Sequence, residues 1–262
     1  MENLPNAVDS SNQSWITYQK EGKTTDYGDS GFSSEEPHKK NPCKAWSTII
    51  GGFIYMLVPG CLYCTGVFAT YIQSYYKIPK DKTYVQDLLP IALFLNMFFM
   101  PIGSWMTQRN MNPRLIICIG GAVLFPFFMI ASVFHHHDQF VYFAIFYCFG
   151  FSFNQGMGYM VPVHHCWLWW PKHPGLVSGI ILGGFGFGAI IFDNLFTHMI
   201  NPENKKAHED TGFYDDDINA RFIKTWRLTV LMWLGLFVIG TAMIFPGPVK
   251  PVKRKGRVVT DG

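Results

Sequence analysis

Charge is what this chain has least of. Asp, Glu, Lys and Arg make up 15% of its 262 residues, where soluble domains carry roughly a quarter. A globule in water needs a charged surface, so the scarcity argues against a soluble enzyme. Arginine is missing until Arg109, which excludes an Arg-rich presequence. No apolar stretch opens the chain. Residues 1–42 are polar and include Glu2 and Asp9, so no secretory signal is expected there. The net charge of +3 is too small to argue for nucleic acid. There is no carboxylate pair at helical spacing and no nucleophile–His arrangement. Neither hydrolytic nor redox chemistry is expected, and the chain reads as a non-enzyme without cofactor or metal. Six cysteines are present. Cys61 and Cys64 form a CxxC with no βαβ pattern around it, so they read as small apolar packing residues. His135, His136 and His137 read as a solvated loop rather than a metal site.

What the chain does have is apolar length. Runs free of Asp, Glu, Lys and Arg extend over 45–76, 88–108, 115–137, 139–171, 174–192 and 228–249. A helix needs about 20 apolar residues to cross the hydrocarbon core, and only helices and closed barrels satisfy the backbone in lipid. Six such runs would leave no chain to cover them in a soluble protein. They also lack the short alternating strands of a membrane barrel. The expected fold is an all-α integral membrane bundle with spans near 46–75, 86–107, 114–134, 140–161, 173–196 and 226–246. Pro59, Pro90 and Pro101 fall within spans, where they kink rather than end a helix. Residues 1–44 read as a polar, disordered tail on the cytoplasmic side, 45–249 as the membrane domain and 250–262 as a basic tail or the start of a central loop. With both ends inside, Lys and Arg number 11 inside against 8 outside, in the direction of the positive-inside rule.

The fifth run holds the densest pattern. It reads Trp169-Trp170-Pro171-Lys172-His173-Pro174-Gly175, then Gly179, Gly183, Gly184, Gly186 and Gly188. Gly175, Gly179 and Gly183 lie four apart on one face, as do Gly184 and Gly188, a spacing that lets two helix backbones approach closely. No strand precedes them, which argues against a nucleotide loop. This stretch resembles the W-[FW]-P-x-[KR]-x-G-x-x-x-G pattern of the oxalate/formate antiporter and monocarboxylate transporter branch of the major facilitator superfamily. Gly156-x-Gly158-Tyr159-x-x-Pro162 resembles that branch's fourth-helix G-x-G-Y-x-x-P. Gly60-x-x-Tyr63 through Phe68 resembles its first-helix G-x-x-Y-x-W-x-x-F, with Cys64 to Phe68 matching loosely.

The resemblance covers about residues 45–250. It implies the six-helix N-terminal half of a twelve-helix transporter. Tyr63 and Tyr159 match tyrosines that line the family's central cavity, where a hydroxyl can donate to a carboxylate oxygen. Asn96 and Gln155 are further polar side chains expected at the cavity, and with Asn154 their amides are expected to bond between helices. Asp193 is expected near the outer end of span five. The loop between the second and third helices departs from the family's G-x-L-A-D-R-x-G-R-R. Gly103, Arg109 and Arg114 match it approximately, but the Asp is missing, and the family's gating network includes that Asp. The implied function is secondary transport of small organic anions, mono- or dicarboxylates. The alternative is a non-transporting half-transporter that serves as a structural subunit of a larger membrane complex. The implied partners are the lipid bilayer, a small carboxylate, and a second six-helix half, a second copy or other membrane subunits. The location is a plasma or organelle membrane, the mitochondrial inner membrane among them.

Overall fold

The computed structural model describes residues 37–248, apart from residues 80, 135 and 209. Most of the expected tail over 1–44, and all of that over 250–262, lie outside the described residues. The described residues form helices and no strand. After a single turn at Pro37–Lys40 come α1 (Pro42–Gly60), a 3-10 stretch (Cys61–Cys64) and α2 (Thr65–Tyr75). There follow α3 (Leu88–Gln108), α4 (Pro113–Ala131), α5 (Phe140–Gly158), α6 (Met160–Trp169), α7 (Pro174–Ile200) and α8 (Asp216–Met243). This is an all-α membrane fold.

Five helical stretches are long and apolar enough to cross a membrane: α1 with α2, α3, α4, α7 and α8. The α5–α6 stretch is as long but is not among them. Asn154, Gln155, His164 and His165 dilute its apolar content. It breaks at Tyr159, three residues before Pro162. Proline has no N–H to offer the carbonyl four residues earlier, here Gly158, and its ring crowds that carbonyl. Pro59 likewise leaves the Tyr55 carbonyl without its helical partner, and a 3-10 stretch follows at Cys61–Cys64.

Several helices outrun the expected spans. Helix α1 starts at Pro42, the α5–α6 stretch runs on to Trp169, and α7 continues to Ile200. Helix α8 starts at Asp216, ten residues before the expected span, because Asp216 and Asp217 in its first turn oppose the positive end of the helix dipole. Ile218, Phe222, Thr225 and Trp226 then bury one stripe of these first three or so turns.

Counting α1–α2 and α5–α6 as one stretch each, successive stretches run antiparallel. Loops at 76–87, 132–139 and 201–215 gather at one end, here termed the loop-rich end. Residues 37–46, 109–112, 170–173 and 243–248 gather at the other, the terminal end. Three hydrogen bonds tie the first together: Tyr76 Oη to the Phe134 carbonyl at 2.5 Å, His137 Nδ1 with the Tyr75 carbonyl at 3.0 Å, and the Tyr214 N–H to Ser74 Oγ at 2.8 Å.

Helix α1 is the central element. Of its most apolar window 72% is buried, against 17% for α3. Lipid offers helices no hydrophobic drive to associate, so close backbone packing must hold them. Glycines supply it at three seams. A Cβ at Gly184 or Gly188 of α7 would run into the Phe53 or Leu57 carbonyl of α1, and one at Gly60 into the Phe185 carbonyl. Gly103 of α3 meets the backbone of Gly156 and Met157 in the same way, and Gly240 of α8 meets Tyr55. Aromatics fill the remaining space. Phe128, Tyr147, Phe151, Trp226 and Trp233 are wholly buried and in ring contact.

A short strap follows α8. The Met243 carbonyl accepts from Ser47 Oγ at 2.9 Å, and the Phe245 N–H donates to Thr48 Oγ1 at 3.1 Å. The Gly247 N–H donates to His165 Nδ1 at 3.2 Å. Arg114 donates from Nε to the Ile244 carbonyl at 2.9 Å and from Nη2 to the Ala242 carbonyl at 2.7 Å, with its guanidinium over the Phe245 ring.

Candidate functional site

Tyr63 sits on the 3-10 stretch after Pro59, and Tyr159 at the break before Pro162. The two proline interruptions thus place both tyrosines where regular helix is lost. Their rings stand edge-on to Phe185 of α7, with centroids 5.4 and 5.8 Å away. Tyr63 is 49% exposed and Tyr159 half-buried. Neither hydroxyl makes a hydrogen bond among the described residues, so both remain free to bind a polar group.

The other two expected cavity residues lie elsewhere. Asn96 is half-buried on α3, and its Oδ1 faces Gly156, where a Cβ would come within 3.0 Å. Gln155 is buried one turn before Tyr159. Asn96 Oδ1, Gln155 Oε1 and both amide atoms of the wholly buried Asn154 have no hydrogen-bond partner. The interhelical hydrogen bonds expected of these atoms are not formed. Close helix contact at Gly120 and Gly156 puts backbone and apolar side chains, not polar ones, opposite the amides.

The two glycine faces of α7 separate. Gly184 and Gly188 press on α1, while Gly175 and Gly179 have nothing within 4 Å, and Gly183 has only the rim of the Phe53 ring at 3.9 Å. Of the three residues matched to the gating loop, Gly103 lies inside α3 against α5. Arg109 stacks on the exposed Trp105 ring at 5.1 Å. Arg114 holds the end of α8.

Several residues went unrecognised in the sequence. Phe185 joins the two tyrosines, and only its place in the Gly-Phe-Gly run hinted at it. Tyr55 is wholly buried with its hydroxyl unpartnered, and a Cβ at Gly158 would strike it. Two cavities open at the loop-rich end. One of about 390 Å³ is bordered by Val67 and the end of α7 from Asp193. One of about 450 Å³ lies between Ser74, Lys77 and the loop from His208 to Asn219. Neither is lined by Tyr63 or Tyr159.

The second cavity sits beside a charge cluster. Lys205 Nζ lies 3.1 Å from Asp217, 3.4 Å from Glu203 and 3.8 Å from Asp215. The hydrogen bond from Lys205 holds the Asp217 carboxyl below the usual carboxylate range and raises the lysine itself.

No protein-family model matches the sequence. Over 268 residues the chain is 24% identical to Apicoplast pyruvate carrier 1 of Toxoplasma gondii, an alignment that covers 81% of this chain and 48% of that protein. It is 28% identical over 163 residues to MFS-type transporter 1 of Ophiocordyceps sp. (strain BCC 1869), covering 60% of this chain and 34% of the relative. It is 21% identical over 215 residues to the uncharacterized MFS-type transporter YhjX of Escherichia coli (strain K12), covering 82% and 48%. The chain therefore spans half or less of the length of these curated relatives. All three are named as transporters or carriers, and none as an enzyme. Together with the all-helical membrane fold, they support a likeness between this chain and transporters of the major facilitator type.

Proposed function

We propose that this chain forms one half of a secondary transporter of small organic anions, mono- or dicarboxylates, with six spans and both ends on the same side of the membrane. The α5–α6 stretch is the sixth span, and the terminal end faces inward. The observation that carries this reading is the pair of unbonded tyrosines, Tyr63 and Tyr159, edge-on to one phenylalanine. They form the wall of a substrate path on one side of the bundle, and their hydroxyls donate to a carboxylate. The name of the Toxoplasma relative, a pyruvate carrier, supports the substrate class. A second half completes the path. It can be supplied by further chain, a second copy or a separate protein. It covers the open glycines Gly175, Gly179 and Gly183.

The test is uptake of labelled pyruvate, formate and oxalate into proteoliposomes that hold the protein with its copurifying partners. Uptake is expected, with Tyr63→Phe and Tyr159→Phe each slowing it about 10-fold, as loss of a hydrogen bond to a charged group implies. Unchanged rates in both variants would remove the tyrosines from the path.

A second reading is favoured by the connection between α3 and α4. The family's Asp is missing there, Gly103 is used in packing, and Arg114 is engaged with the end of α8. On that reading the chain is a structural subunit of a larger membrane complex. It copurifies with other subunits at fixed stoichiometry, and no carboxylate moves.

A further inference from the structure

Asp193 is the sole carboxylate of α7 and lies seven residues before its end, about 10 Å along the axis. The ion pairs of the described residues use Asp81, Glu203, Asp215 and Asp217, and none uses Asp193. Its Oδ1 is shut off from solvent and accepts no hydrogen bond. Asp193 as a whole is half-buried, and a desolvated carboxylate oxygen without a partner is costly, so one that persists points to a ligand.

The surroundings say which ligand. Asp193 lines the cavity of about 390 Å³ together with Asn194, Thr197, His198 and Asn201. Asn194 donates its amide nitrogen to the Ile190 carbonyl at 2.7 Å, which leaves Oδ1 as an acceptor. Asn201 Oδ1 accepts one bond, from the Lys205 N–H at 2.9 Å, and retains a second lone pair. The C-terminal end of α7 adds a partial negative charge. The nearest lysine in sequence does not compete, because the Lys205 ammonium is engaged by Asp217 and Glu203. Apart from the His198 ring, the donors are oxygens around a single full negative charge, which suits a hard cation of low charge. The volume admits such an ion with part of its water shell.

We propose that this cavity binds a hydrated monovalent metal cation, with Asp193 as the charged ligand and Thr197, Asn194 and Asn201 as neutral ones. The site depends only on the geometry of this end of the bundle, and its test reads binding, so it stands apart from the proposed transport.

The experiment is thermal unfolding of the full chain in detergent, titrated with NaCl or KCl against choline chloride at constant ionic strength. One of the metal salts is expected to raise the midpoint saturably by about 2–4 °C at a few-fold excess over Kd. Asp193→Asn should abolish the response, and Asp87→Asn, at the start of α3, should leave it intact. If Asp193→Asn does not fold, Thr197→Val serves instead, with an apparent affinity several-fold weaker by calorimetric titration. Equal midpoints in all three salts would overturn the site, as would a response that survives in both Asp193→Asn and Thr197→Val.

Discussion

Gly188 lies directly against the carbonyl of Leu57, with no room between them for a methyl group. That contact, with its neighbour at Gly184 and Phe53, sets the distance between α7 and α1. Backbone cannot rotate away as a side chain can. Gly188→Ala is expected to cost about 1–3 kcal/mol through overpacking. Gly179→Leu meets open space and is expected to stay within about 0.5 kcal/mol. Thermal unfolding in mild detergent separates the two. On native gels, Gly179→Leu should instead weaken assembly with a covering partner. Unchanged assembly would take that face out of the contact.

Arg114 bonds two carbonyls at the end of α8, where the helix leaves its last acceptors unmatched. Arg114→Gln is expected to destabilise the protein by about 1–2 kcal/mol. Hydrogen exchange should quicken at 241–247 before other segments. Were the role confined to gating, transport would change and exchange would not.

Topology can be checked with an impermeant thiol reagent. Cys43 is exposed at the terminal end, and Asp216→Cys would place a thiol at the loop-rich end. In a Cys118→Ser background the two should label from opposite sides of sealed vesicles. Labelling from the same side would mean an even number of crossings between them and sink the six-span arrangement.

The Lys205–Asp217 pair gives a pH dependence with a definite sign. Asp217 has its folded pKa depressed by the lysine's hydrogen bond. Its contribution is present above the ordinary carboxylate value of about 3.9 and fades as pH falls through the lowered one. The raised Lys205 contributes fully below its ordinary value of about 10.4 and loses the contribution as pH climbs through the raised one. Both groups are exposed, so salt weakens the pair. Hydrogen exchange over 201–217, corrected for intrinsic rates, should differ between wild type and Lys205→Met at neutral pH. The difference should shrink in strong acid. A difference that does not change with pH would assign the loop's order to its aromatic and Asn201 contacts.

The membrane-helical fold was legible because absence of charge over some 20 residues has one physical explanation, and α3 and α4 follow those runs closely. The start of α8 was not legible. Asp216 and Asp217 look like loop until their place at a helix N-terminus is seen. Glycine spacing announced close approach at α7 but not which face was used, since 175–179–183 and 184–188 share the same period. Tyr63 and Tyr159 were found by their motifs, yet the ring between them lies on a third helix, a relation no local pattern contains. The Asp193 cavity was missed for a related reason. Part of its wall is the turn over 201–205, which Asn201 closes by bonding the Lys205 backbone.

The strap after α8 has a mechanical consequence. Side chains from residues 47 and 48, from residue 114 and from residue 165 all grip Met243–Gly247. A pull on the backbone beyond residue 248 is therefore shared among α1, α4 and α6 before it can unwind α8. The first and last helices of the bundle, some 196 positions apart at the Ser47–Met243 bond, are sheared together or not at all. Load entering at that corner tilts the bundle as a block.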